Sequence, residues 1–202
     1  TSHEFIRDPR LLSQLIAVGV LPVLGIAISF MGSNSDFSFG NAFAIFFTLF
    51  GAMLFGGVVA TLMAWDSTAN WLSITAGIRG RDERLGRLVG ALPSAISLFA
   101  VVMALLAFAA GIQGRSLIYL AVTTVLLFCA TAGAGQILHA RWLYPVPPPG
   151  ANPISTKSTG SFTATMLVQF AQWLAALVAS LPASVVLLLG FFGILPDWIG
   201  YI

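Results

Sequence analysis

The sequence predicts an all-α protein that crosses a lipid bilayer about five times. Three observations carry this. Hydrophobic residues make up 58% of the 202 positions and charged residues only 8%, where soluble domains are about one-quarter charged. The charges fall between long apolar runs rather than inside them. Those runs match what a helix needs to cross a hydrocarbon core about 30 Å thick, roughly 20 residues. So few charges cannot cover a water-facing surface of this size. In lipid every backbone polar group must be satisfied within its own segment, which a helix does.

The first run covers residues 11–31. Asp8 followed by Pro9 is a favourable start, because Asp caps and Pro stands where its missing N–H is not needed. Arg7 and Arg10 precede the run, as in a signal peptide. The run is too long for that, however, and ends in Phe30-Met31-Gly32 without a small-x-small cleavage site. Residues 42–65, 88–111 and 116–139 form the next three spans. The short Gly111–Arg115 turn makes the third and fourth antiparallel neighbours. The last run, 162–195, exceeds one straight span, and Pro182 interrupts it. The expectation is a fifth span over 162–181, a break or kink at Pro182, and a re-entrant or interfacial segment over 183–195. Residues 1–202 are expected to form a single transmembrane domain, part of a longer chain.

Basic residues set the topology. One face would hold Arg7, Arg10, Arg79, Arg81, Arg84, Arg87, Arg141 and Lys157, and the other only Arg115. The N-terminus and the 66–87 and 140–161 loops are therefore expected in the cytoplasm, and the 32–41 loop outside. Trp65, Trp71 and Trp142 fall at expected cytoplasmic interfaces and Trp198 at an outer one, as an aromatic belt requires. A pI of about 9.1 reflects a surplus of only two charges, nine basic against seven acidic. It suits loops facing anionic lipid and does not call for nucleic acid.

The 66–87 loop carries the most information outside the membrane. Trp71, Ile74, Thr75 and Ile78 recur at one-face helical spacing, which suits a short helix in the headgroup layer. Gly77 and Gly80 permit a turn. Asp82 and Glu83 then start the next helix, where acidic side chains suit the positive end of the dipole. Arg79, Arg81, Arg84 and Arg87 flank the turn. From the residues alone this is either a docking surface for a cytoplasmic partner or topology-setting charge with local ion pairs. The Tyr-Pro-Val-Pro-Pro-Pro-Gly-Ala-Asn-Pro stretch at 144–153 favours extended backbone. It suits a stiff spacer, or a ligand for an aromatic groove.

No Asp, Glu, Lys or Arg lies well inside a span, which argues against a proton relay or an ion-coupled carrier. Gln136, Gln169 and Gln172 are the strongest polar candidates there. Gln169 and Gln172, three apart, share a face. They either line a translocation path or bond across helices. Gly56, Gly57, Gly133 and Gly135 suit close helix packing. His3 and His139 stand alone without a second ligand at metal spacing. No nucleophile–base pair, paired carboxylates or phosphate-binding glycine motif is present, so no catalytic residue is assigned. Cys129 is the single cysteine and can form no internal disulfide.

Three stretches together carry a resemblance. Residues 6–12, Ile-Arg-Asp-Pro-Arg-Leu-Leu, resemble the approach to the first helix of a half-unit in type-2 ABC transporter permeases, the exporter class. Residues 65–87, with Gly77-Ile78-Arg79-Gly80-Arg81-Asp82-Glu83-Arg84-Leu85-Gly86-Arg87, resemble the loop after their second helix. The Pro-rich 144–153 stretch is similar to the loop before the fifth helix in actinobacterial members.

The resemblance implies six helices per half and a re-entrant segment between the fifth and sixth. This chain departs from the pattern at its end, where the sixth helix is expected to be missing or barely begun, and is expected to be the C-terminal half of a longer permease. The loop after the second helix would couple to an ATP-binding-cassette ATPase subunit through Trp71, Arg79, Arg81, Asp82, Glu83, Arg84 and Arg87. ATP and magnesium would sit on that partner, and this chain would carry no cofactor. A second permease half and membrane lipid are the other implied partners, and the plasma membrane the implied location. The implied function is ATP-driven export of a lipophilic or amphipathic substrate. A non-catalytic membrane scaffold or assembly subunit is the alternative.

Overall fold

The computed structural model describes residues 9–31, 39–65, 75–109, 111–112, 114–142 and 162–191. Among these the elements are α1 (Pro9–Met31), α2 (Phe39–Trp65), α3 (Gly80–Ala109), α4 (Arg115–Leu138) and α5 (Phe162–Phe191). No described residue lies in a β-strand. The chain is the all-α polytopic membrane protein expected from its composition. Gly40–Leu62, Gly80–Ala109 and Arg115–Leu138 each have the length and hydropathy to cross a bilayer, and α1 and α5 contribute the apolar stretches Val18–Ile28 and Met166–Pro182.

Local chemistry explains the helix ends. α1 begins on Pro9, whose fixed φ and missing N–H suit a first helical position. α3 carries Asp82 and Glu83 in its first turn, and the N–H groups of both donate to the Arg79 carbonyl, at 2.9 and 3.1 Å. The helix therefore starts at Gly80, well before the apolar span at 88, and its first two turns are charged. Gly111 and Gly114 adopt φ of 65° and 62°, values that side chains with a Cβ disfavour. They reverse the chain between α3 and α4, and Ile112 is buried in the turn, its N–H donating to the Leu106 carbonyl at 3.3 Å.

α2 is the central helix, packing against α1 and α4 most extensively and touching α3 and α5. α4 in turn packs along α5. Phe55 of α2, Phe99 of α3 and Phe128 of α4 meet in one aromatic cluster, with ring centroids 5.5–6.2 Å apart. Nearer the 111–114 turn, Ile26, Ala44, Val102, Leu106 and Leu120 close a second cluster around Ile112. Phe50 of α2 meets Trp173 of α5 edge-on at 5.7 Å.

The structure corrects the expected break at Pro182. α5 runs as one helix from Phe162 to Phe191 with Pro182 inside it, and no separate segment begins at 183. A proline removes one N–H, but apolar surroundings offer no water to satisfy an unwound backbone, so keeping the rest of the ladder is favoured. Pro22 in α1 and Pro93 in α3 are carried in the same way. Residues 192–195 lie outside the described residues, as do the expected interfacial helix at Trp71 and Ile74, the Pro-rich 144–153 stretch and Lys157.

Candidate functional site

Several charged and amide side chains of the bundle gather where α2 and α4 end and α3 begins. A helix leaves its last four carbonyls without an intrahelical partner. α2 ends at Trp65 and α4 at Leu138, so Leu62 and Gln136 carry such carbonyls. Both are satisfied from the start of α3. Arg84 Nη1 donates to the Gln136 carbonyl, and Arg87 Nη1 to the Leu62 carbonyl at 3.5 Å. Arg84 and Arg87 stand three apart and so share one face of α3. Two positive charges thus meet the negative ends of two neighbouring helices. The remaining end of α4 is closed locally, with His139 N–H donating to the Gly135 carbonyl and Arg141 and Trp142 N–H to the Leu138 carbonyl, at 2.8–3.0 Å.

The α3 turn has an inner and an outer side. Arg87 Nη2 pairs with Glu83 Oε1 at 2.8 Å, and these side chains are only 21% and 14% exposed. Arg81 and Asp82 form a looser pair at 3.4 Å, 72% and 56% exposed. Arg79 is exposed as well. Gly77, φ 69°, bends the chain into this segment, and among the described residues nothing lies within 4 Å of where its Cβ would be. Of the residues expected to dock a partner, Glu83, Arg84 and Arg87 are therefore engaged within the bundle, Arg79, Arg81 and Asp82 face outward, and Trp71 lies outside the described residues.

Deeper in the bundle, Gln172 of α5 is wholly buried. Its Nε2 donates to the Thr131 carbonyl of α4 at 3.1 Å. Its Oε1 accepts from His139 Nε2 at 3.2 Å, which fixes that nitrogen as the protonated one, because an amide oxygen only accepts. Gln136 Nε2 donates across to the Val59 carbonyl of α2 at 3.4 Å. Gln136 and Gln172 thus bond across helices. Gln169 is half-buried, with its Nε2 3.1 Å from where a Cβ on Gly57 would sit. Gln172 Nε2 lies 3.8 Å from the same point, so the two glutamines do share the face turned to α2.

Glycines make these approaches possible. A Cβ on Gly135 would lie 2.3 Å from Ala60 Cβ, and one on Gly56 would lie 2.7 Å from the Phe128 carbonyl oxygen. Among the described residues nothing lies within 4 Å of where a Cβ on Gly133 would sit, which corrects its expected part in packing. It stands on the wrong side of α4 for the α2 contact.

The expected absence of catalytic chemistry is not tested by this geometry, but the described residues contain no group of three or more His, Cys, Asp or Glu placed to hold a metal. His139, isolated in sequence, is a hydrogen-bonding partner of Gln172. Sequence reasoning missed this pair and the arginine caps. The one local signal was the spacing of Glu83, Arg84 and Arg87, which puts a carboxylate and two guanidinium groups within one turn. The chain matches no protein-family model, no curated protein and no solved structure.

Proposed function

We propose that this chain is the transmembrane permease part of an ATP-driven exporter of the ABC type. It would lie in the plasma membrane with its N-terminus in the cytoplasm. It would move a lipophilic or amphipathic substrate together with a second permease half. ATP and magnesium would be bound by ATPase subunits docked at the 66–87 loop. The order of the motifs at 6–12, 65–87 and 144–153 supports this reading. The structural observation that carries it is the two-sided α3 turn. Its outer side presents Arg79, Arg81 and Asp82, both signs of charge, which orients a partner as well as attracting it. Its inner side is bonded to the ends of α2 and α4. A push on the turn would therefore reach several helices.

The test places a photo-crosslinking amino acid at Arg79 or Arg81 in the tagged chain, expressed in its own cell. A protein that cross-links there, takes azido-ATP and gives the purified complex vanadate-sensitive ATP hydrolysis is the expected result. If no nucleotide-binding protein cross-links and the purified chain carries no ATP hydrolysis, the exporter reading fails and the scaffold reading replaces it.

A further inference from the structure

We infer that Arg84 and Arg87 are positioning residues that pass movement of the α3 turn to α4 and α2, and that partner contact falls to Arg79, Arg81 and Asp82. The division rests on the exporter reading for its partner. The bonds on which it rests belong to this chain alone.

A docking residue must offer its charge. Arg87 does not, because Nη2 is bonded to Glu83 and Nη1 reaches the Leu62 carbonyl, with the side chain 21% exposed. Its guanidinium therefore bridges two helices with two different nitrogens, a fork that an ammonium cannot reproduce. Arg84 is half-buried and bonded to the Gln136 carbonyl. A partner could take the charge of Arg87 only by breaking these bonds, and Arg84 has its Nη1 committed to the end of α4. Both acceptors are helix-terminal carbonyls, so the links attach to backbone and not to mobile side chains. They hold the ends of α2 and α4 to one face of α3.

The connection runs further. Gln136, whose carbonyl Arg84 caps, bonds through its side chain to the Val59 carbonyl of α2. His139, the residue that caps α4, bonds Gln172 of α5. A displacement of the turn is thereby imposed on α2 and α4 directly and on α5 through the end of α4. The side chains of Arg81 and Asp82 pair only with each other among the bonds the structure gives them, so loss of their charges would leave this linkage intact.

Two measurements test the division. The first uses the tagged chain without nucleotide and follows hydrogen exchange in the last turns of α2 and α4. Arg84→Gln with Arg87→Gln is expected to speed exchange there by about tenfold or more, as loss of charge-assisted bonds would. Arg81→Glu should leave it unchanged. Unchanged exchange in the double variant overturns the inference. The second uses the complex purified through this chain, in a Cys129→Ala background with spin labels at Phe46 on α2 and Ile118 on α4, both exposed. ATP with vanadate is expected to change the distance between the labels. The double variant should keep its ATPase bound and hydrolysing but lose more than half of that change, about twofold or more. Arg81→Glu should instead lose the ATPase. A full distance change in the double variant, or loss of the ATPase from it, overturns the inference. If the double variant does not reach the membrane, Arg84→Lys and Arg87→Lys singly give the same comparison with the charge kept. A wild-type chain that holds no ATPase defeats the exporter reading and with it the transmission role, while the exchange measurement still decides whether the caps bind the helix ends.

Discussion

Replacing Gly135 by Ala is the sharpest probe of how α2 and α4 cross. The added Cβ would stand 2.3 Å from Ala60 Cβ and 2.4 Å from Gln172 Nε2. Carbon atoms in contact sit about 3.5–4.0 Å apart, so the helices must separate by at least about 1.2 Å. Ala60 has no rotamer to move into, because its Cβ is fixed to the backbone. Gln172 can move only by giving up its bond to the Thr131 carbonyl, 3.1 Å long. Overpacking of this kind costs about 1–3 kcal/mol, and an interhelical hydrogen bond in a membrane about 0.6–1.7 kcal/mol. Taking about 3 kcal/mol in all, and about 2–4 °C per kcal/mol for a chain of this length, the apparent melting temperature should fall by about 6–12 °C. The assay is the loss of the monodisperse peak in size-exclusion chromatography after heating in detergent. Gly133→Ala is the control, since no described residue lies within 4 Å of where its Cβ would sit. It should be neutral or raise stability by up to about 1 kcal/mol through helix propensity. Adding Ala60→Gly to Gly135→Ala removes the carbon–carbon clash and should recover about half of the loss, leaving that with Gln172. If Gly135→Ala melts within about 2 °C of wild type, or if Gly133→Ala costs as much, the close crossing is wrong.

The same assay separates the polar contacts. Gln172→Leu removes the bonds to Thr131 and His139 and should destabilise by about 1–2 kcal/mol; wild-type melting would show that the buried amide is not held as described. Arg87→Ala removes the bonds to the Leu62 carbonyl and to a Glu83 side chain that is 14% exposed and should cost about 1–3 kcal/mol. Arg81→Ala, in an open pair, should change stability by less than about 0.5 kcal/mol, and equal losses from the two would deny the inner and outer sides of the turn. Topology is checked with single cysteines at Ser35 and Ser155 in a Cys129→Ala chain: an impermeant thiol reagent on intact cells should label position 35 and spare 155, and the opposite pattern inverts the assignment.

Much of the helix inventory was legible because it depends on order along the chain. Pro9 marked the start of α1, Asp82 and Glu83 the first turn of α3, and Gly111 and Gly114 the reversal before α4, each through backbone chemistry confined to a few neighbours. Pro182 misled because the rule that proline breaks helices assumes water or another donor ready to take the freed groups, and the apolar stretch around it offers none. The candidate site was legible only in part. The charges around residue 80 stood out, but their division between a bonded inner side and an open outer side did not.

The sequence by itself determined that this chain is a polytopic α-helical membrane protein, because length and hydropathy settle what a segment can do in lipid before any neighbour is specified. The tertiary structure decided which face of each helix meets protein. Phe55 is wholly buried and Phe108 is 91% exposed, yet both are phenylalanines in apolar helices. In a soluble helix the polar face would reveal the rotation. In a membrane both faces are apolar, so hydropathy carries almost no record of rotation about the axis. For that reason Gly135 could be told from Gly133, His139 paired with Gln172, and Arg84 and Arg87 recognised as caps only once the helices stood beside one another.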